Sequence, residues 1–130
     1  MKLLLDTCAL VFFVEDSGHL SAEAMRQITA DGCEVCVSAV SVAELACGQE
    51  RGRLKLTMHW KQWWAETLRR NGWECLSITP EIMAEAWSLP GIVHGDPADR
   101  LLLATARIER LTLVTTDRKL LAYPHVHSLG

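Results

Sequence analysis

No apolar run in this chain approaches the length of a bilayer span, and the opening Met-Lys-Leu-Leu-Leu meets Asp6 too early for a signal peptide. The expectation is a cytosolic protein with no membrane partner. Five cysteines are an odd number in a sequence without a secretory signal, so a disulfide framework is not expected. Cys33 and Cys36 have the spacing of a metal knuckle, but three residues apart on a strand they point to opposite faces. His125 and His127 fall on one face of a terminal strand without a third ligand, which favours a structural role. A Walker glycine loop and a G-x-S-x-G elbow are also missing. So is any surplus of positive charge, since the formal net charge is −3.

What is present is one domain of 130 residues, long enough to bury a core unaided by crosslinks or a structural metal. Residues 2–5 read as a buried strand ending at Asp6, followed by a helix over 7–14. Ser21 opens a helix over 22–30 that Asp31-Gly32 stops, and 33–37 is a second strand. Ser38 or Ser41 caps the next helix, which runs to about Gly48; Ser41-Val-Ala-Glu44 fits a capping box. A helix over 57–70 carries Trp60, Trp63 and Trp64 as one stripe, most simply core or interface and alternatively a base-stacking or partner-binding face. Asn71-Gly72 breaks it. Residues 73–78 form a third strand, and Thr79-Pro80 starts a helix over 80–88. Leu89-Pro-Gly91 ends that helix, and a loop leads to His94.

His94-Gly-Asp-Pro-Ala-Asp-Arg-Leu-Leu-Leu then opens a helix to about Glu109. Asp96 is its N-cap, Pro97 suits its first turn, and Asp99 lies where the positive helix end favours a carboxylate. Leu101, Leu102, Ala104, Thr105 and Ile108 have buried spacing. Residues 111–115 form a strand ending at Thr116-Asp117, 118–121 a helical turn, and Val126 lies in a last, marginal strand. Strands alternating with helices predict a three-layer α/β/α sandwich with a mainly parallel sheet.

In such sheets ligands bind beyond the carboxyl ends of the strands. Asp6 follows the first strand, Glu44 comes soon after the second, Asp117 follows the strand at 111–115, and Asp96 and Asp99 open the helix that feeds it. Helix capping accounts for several of these acids singly. Their recurrence at comparable places predicts that they converge. Carboxylates drawn together raise one another's pKa values unless a cation neutralises them, and oxygen donors suit Mg2+ or Mn2+. Of the 16 acids, five belong to this set, which leaves 11 against 13 Lys and Arg, a mildly basic surround compatible with a metal that recruits phosphate. Metal-assisted phosphodiester hydrolysis is the leading chemistry. A binding module that grips a basic peptide and a phosphatase of small esters are the alternatives. The phosphatase reading lacks the second Asp two residues after Asp6, where Cys8 stands, and a receiver domain would want an Asp where Thr79 follows the third strand.

Four ordered segments, Leu3-Leu4-Leu5-Asp6-Thr7, Ser38-Ala-Val-Ser41-Val-Ala-Glu44-Leu, His94-Gly-Asp-Pro-Ala-Asp99-Arg100-Leu-Leu and Leu113-Val-Thr-Thr-Asp117, resemble the motifs of PIN-domain ribonucleases, most closely VapC-type toxins of toxin–antitoxin pairs. The resemblance covers nearly the whole chain. It implies that Asp6, Glu44, Asp99 and Asp117 hold one or two magnesium ions, with Asp96 an accessory acid or merely the cap. Thr7 and Thr116 would hydrogen-bond the site, and Arg100 would contact a phosphate or form a salt bridge. It implies endonucleolytic cleavage of RNA by a metal-activated water, a homodimer, and a cognate VapB-like antitoxin that blocks the site. Cys8, where many relatives carry His or Ser, and the small residues of Gly95-Asp-Pro-Ala depart from the commonest form and bear on substrate preference.

Overall fold

Short apolar runs between turn signals give the strands, and the computed structural model, which describes all residues except Ile92 and His94, joins them into one sheet. Strands β1 (Lys2–Leu5), β2 (Glu34–Ser38), β3 (Glu74–Leu76), β4 (Thr112–Val114) and β5 (Ser128–Leu129) lie in the order β3-β2-β1-β4-β5. Every pairing is parallel. Leu3, Leu4 and Leu5 are fully buried, because the central strand of a parallel sheet is covered on both faces. Strand order reverses between β1 and β4, and their carboxyl ends therefore flank the crevice where such folds place a ligand.

Leu3, Leu5, Val35 and Val37 project toward one layer, formed by α1 (Thr7–Glu15), α2 (Ala22–Thr29), α3 (Val40–Glu50) and α4 (Trp60–Asn71). Leu4, Cys36 and Leu113 project toward the other, formed by α6 (Pro97–Glu109) and α7 (Arg118–Leu121). A further helix, α5 (Pro80–Ala86), packs Ile82 and Ala86 on the outer side of α6 against Leu101 and Ala104. That second covering explains why residues 101–106 are all buried, with Leu103 and Ala106 added to the expected set while Ile108 is only partly buried. The three-layer expectation holds. No helix among the described residues is long and apolar enough to cross a membrane.

Several boundaries differ from expectation for identifiable reasons. The helix expected from 57 starts at Trp60, because side chains from elsewhere capture the preceding backbone. Glu15 Oε1 accepts from the Thr57 amide and hydroxyl, both at 3.2 Å, while Gln49 bridges the Met58 carbonyl and the Trp60 amide at 2.8 Å each. Trp63 is 1% exposed and donates from Nε1 to the same Glu15 oxygen at 2.7 Å; Trp60 and Trp64 pack partly buried against that core. The stripe is therefore core, and truncating Trp63 to Ala would cost about 3–5 kcal/mol.

The last strand is Ser128–Leu129, two residues beyond Val126, and His125 and His127 do not share a strand face. His125 sits in a turn with its ring edge-on to Tyr123, and the His127 carbonyl accepts from Leu113 N at 2.8 Å. Cys33 packs toward one core and Cys36 lies in the other, so the two thiols face opposite sides of the sheet. His94, which heads the acidic segment in sequence, lies outside the described residues.

Candidate active site

The site is assembled from four chain segments at the carboxyl end of the sheet. Asp6 N donates to Val114 O at 3.0 Å, which fixes the first carboxylate between β1 and β4. One oxygen, Oδ1, caps α1 by accepting from Ala9 N at 2.7 Å; the other accepts from the Thr115 hydroxyl at 2.5 Å. Thr115 Oγ1 in turn accepts from Asp117 N at 3.0 Å, so one buried hydroxyl ties Asp6 to the turn that carries Asp117. Asp117 then caps α7 through Lys119 N at 2.8 Å.

On the other side, the Thr7 hydroxyl donates to Glu44 Oε1 at 2.5 Å. Its single proton is thereby used, so the Ser41 hydroxyl, 2.8 Å away, is the donor to Thr7. Ser41 is fully buried inside α3 and caps nothing, which overturns the capping-box reading of Glu44. The expected alternative cap, Ser38, is the last residue of β2 and accepts from Val40 N at 3.1 Å, but the N-cap position of α3 is Ala39, which makes no side-chain cap bond. Glu44 is therefore turned by Thr7 toward Asp6 rather than spent on its own helix end.

Asp99 lies in the first turn of α6. Asp96 caps that helix, accepting from Ala98 N at 2.9 Å and Asp99 N at 3.2 Å. Asp6, Thr7, Cys8, Glu44, Asp99, Thr116 and Asp117 line one cleft of about 280 Å³. Asp96 lies at its margin, lining a larger groove of about 760 Å³ that shares Thr7, Cys8 and Glu44 with the cleft.

The electrostatics follow from this crowding. Burial raises Asp6 to about 6 against the pull of its Thr115 and Ala9 hydrogen bonds, and the charges of Glu44 and Asp117 push the same way as burial. Asp99 rises to about 7, through burial first and then through Asp96, Asp117, Glu44 and Asp6. Glu44 is raised by burial and by Asp96, despite the Thr7 hydrogen bond. The Cys8 thiol at the cleft is pushed up to about 11, by desolvation first and then by the charges of Asp6, Glu44, Asp99 and Asp117.

Carboxylates gathered in a desolvated cleft stabilise any cation that enters, and an all-oxygen donor set matches a hard divalent ion. Among the described residues no three His, Cys, Asp or Glu side chains stand close enough to form a ready-made cage. Asp6 and Glu44 are held by hydroxyl and amide donors. The donor chemistry fits a metal.

The remaining expected site residues divide. Thr7 touches Glu44 as expected, and Thr116 lines the cleft; the hydroxyl that bonds Asp6 is Thr115, which the sequence reading missed. A buried β-branched hydroxyl next to a strand-end acid was the available signal, since such a group must find a partner. Arg100 does not line the cleft. Its guanidinium donates to Ala86 O at 3.1 Å and Val93 O at 3.5 Å and lies 5.9 Å from the Trp87 ring, tying α6 to α5. Ser41, which orients Thr7, was read only as a cap.

Comparison with known proteins places this arrangement. The chain is 39% identical over 127 residues to Ribonuclease VapC22 of Mycobacterium tuberculosis, covering 95% of this chain and 92% of that one. Among solved structures it is similar to VapBC2 of Rickettsia felis bound to a promoter DNA fragment, with a TM-score of 0.74, 21% identity and coverage of 99% and 98%. A toxin–antitoxin complex from Klebsiella pneumoniae gives 0.68 and 20%, covering 98% and 96%. FitAcB from Neisseria gonorrhoeae gives 0.68 and 22% with the same coverage. At these identities the structures speak for the fold alone. The PIN domain family model matches residues 3–126, a span that takes in β4, all of β1 but Lys2, and all five acids, and the chain belongs to the PIN domain family.

Proposed function

We propose that this protein is a Mg2+-dependent endoribonuclease toxin of the VapC type, acting as a homodimer in the cytoplasm and neutralised by a cognate VapB-like antitoxin. The observation that carries the reading is the meeting of Asp6, Glu44, Asp99 and Asp117, from four separate segments, in one cleft. The 39% identity to a protein named a ribonuclease supports the chemistry, and structural neighbours that are toxin–antitoxin complexes support the partner. Met83 and Trp87, exposed on and just after α5, offer an apolar patch suited to a second copy.

Asp6, Glu44, Asp99 and Asp117 would hold Mg2+, or Mn2+ in its place. When bound, the ion supplies a water acidic enough to attack a phosphodiester and neutralises charge on the scissile phosphate. The chain's own part is positional. Asp6 is pinned by Ala9 N and Thr115, so its carboxylate gives a fixed reference point between β1 and β4. Ser41 and Thr7 aim Glu44 across the cleft, and Asp96 holds the first turn of α6 so that Asp99 faces the same space.

The test is expression of the chain without its antitoxin, together with cleavage of structured RNA by the purified protein. Growth arrest and Mg2+-dependent cleavage are expected, with both abolished in Asp6→Asn while its circular dichroism stays native. Arrest that persists in a folded Asp6→Asn variant overturns the catalytic assignment. Hydrolysis of a model phosphomonoester with no RNA cleavage would turn the reading toward a phosphatase, and Mg2+-independent binding of a basic peptide toward a binding module.

A further inference from the structure

The acidic cleft does not end at Glu44. It opens, through the shared Thr7, Cys8 and Glu44, into the groove of about 760 Å³ between α3 and the start of α6. The floor of that groove is apolar, with Val40, Ala43, Leu54 and Leu101, and its far end is formed by Arg51 and Arg53. We infer that this groove is a substrate arm that holds single-stranded RNA on one flank of the cleaved bond, with an unstacked base on the apolar floor and a backbone phosphate on the Arg51–Arg53 pair. The inference rests on the nuclease reading and assigns its specificity to residues outside the acidic set.

The arginines are presented by a fixed turn. Arg53 N and Leu54 N both donate to Gly48 O, at 2.8 and 3.0 Å, and Gly52 takes a φ of 71° to let the chain reverse. Leu54 then packs so tightly on α3 that a Cβ at Gly48 would lie 2.7 Å from Leu54 Cδ1. A glycine at 48 therefore allows the loop to fold back and set both guanidinium groups at the groove mouth. Both side chains are exposed, and among the described residues neither makes an ion pair or a side-chain hydrogen bond, whereas Arg26, Arg69, Arg70 and Arg107 are each paired with a glutamate. The surrounding segment is basic. Between Glu50 and Glu66 the sequence has Arg51, Arg53, Lys55 and Lys61 and no acid.

Spacing and charge select the occupant. Arg51, the C-cap of α3, lies seven positions after Glu44, a rise of roughly 10 Å along the helix axis, which a short stretch of single strand can span. A chain that carries a negative charge at every unit can place one phosphate at a cation held by the acids and another on the arginines, with a base between them over the apolar floor. Stacking and apolar contact of that kind tolerate any base and require a single strand, because a duplex keeps its bases inside.

The experiment measures binding of a fluorescent oligouridine of about ten nucleotides by anisotropy over a range of salt with EDTA in place of Mg2+, a condition in which the proposed metal-dependent cleavage does not run. Arg51→Ala with Arg53→Ala is expected to weaken binding by about tenfold or more, and to flatten the dependence of log K on log salt by about 0.7, the value for one single-strand phosphate contact. Arg51→Lys with Arg53→Lys restores the slope, and Ala43→Leu, which fills the floor, weakens binding without changing it. On a cleavable RNA the loss falls in KM rather than kcat, and Mg2+ binding by calorimetry is unaffected. Unchanged affinity and slope in the folded double-alanine variant overturn the inference, as does a loss confined to an acidic apolar peptide. A wild-type protein that binds the oligouridine through Arg51 and Arg53 yet cleaves nothing would sink the nuclease reading and leave the groove assignment standing.

Discussion

At the amino end of the sheet Lys2 faces Glu34 at 3.3 Å across β1 and β2, and Arg107 meets Glu85 at 2.7 Å while donating a second N–H to His125 O. At the carboxyl end, only a few residues further along β1 and β4, Asp6, Glu44, Asp99 and Asp117 face one another across a cleft. Charges of the first kind are matched pairwise by the fold. Charges of the second kind are gathered with their own sign, in positions where burial already disfavours ionisation, and the pKa values of Asp6 and Asp99 climb accordingly. A fold accepts that penalty where something from outside relieves it. The contrast separates charges that hold the sheet together from charges kept for a ligand, and substitution at the two ends should give opposite patterns of activity and stability.

The largest effect expected is at Asp99. Asp99→Asn removes a carboxylate from the proposed ligand set and should lower RNA cleavage by about 100-fold or more. The same change relieves repulsion by Asp96, Asp117, Glu44 and Asp6, so the melting temperature of the metal-free protein should hold or rise at pH 8. Cleavage and thermal melts on one preparation check both halves. A variant that loses stability along with activity would mean that the Asp99 carboxylate also supports the first turn of α6.

The pH dependence sharpens the comparison next. Asp6 and Asp99 titrate near 6 and 7 when folded, against an ordinary value of 3.8, so the native state binds protons more tightly than the unfolded chain. Their contribution is fully present below about pH 4 and is lost as pH rises through the folded values, so metal-free stability should fall between about pH 4 and 7. A divalent ion needs the ionised carboxylates, and its stabilisation should run the other way. It should be near zero at about pH 5 and reach about 2.7 kcal/mol at pH 8 with Mg2+ at 100 times its Kd. Melts across this range with and without Mg2+ test the sign, and a metal-free stability that is flat from pH 4 to 7 would contradict it.

Much of this was legible in the chain itself. β1 and Asp6 stand out because an uninterrupted apolar run stops at an acid that can cap the following helix, so strand end, turn and site coincide in adjacent residues. The three layers follow from strands alternating with helices. What escaped was set by partners distant in sequence. Ser41 looks like a cap until Thr7, 34 residues earlier, arrives to accept its proton. Residues 57–59 have a helical pattern but lose their backbone groups to Glu15 and Gln49. Thr115 and Thr116 are chemically identical neighbours, and only the pleat of the extended chain decides which hydroxyl turns inward to Asp6. Val126 is as apolar as a strand residue should be, yet pairing begins at Ser128 because β4 sets the register.

The smallest effect expected is at the amino edge. Glu85→Ala removes the carboxylate from Arg107, but that guanidinium is partly exposed and keeps its bond to His125 O at 3.0 Å, so water replaces most of what is lost. Stability should drop by about 1 kcal/mol or less, and RNA cleavage should not change. The result is informative because Arg107 and Asp99 share α6, eight residues apart, which is about 12 Å along its axis. If the helix is rigid, held by the core on its inner side and by α5 on its outer side, loosening its last turn leaves its first turn and Asp99 in place. A tenfold loss of cleavage in Glu85→Ala would mean that α6 transmits the disturbance along its length, and that the paired charges at the far edge help to position the acids at the near one.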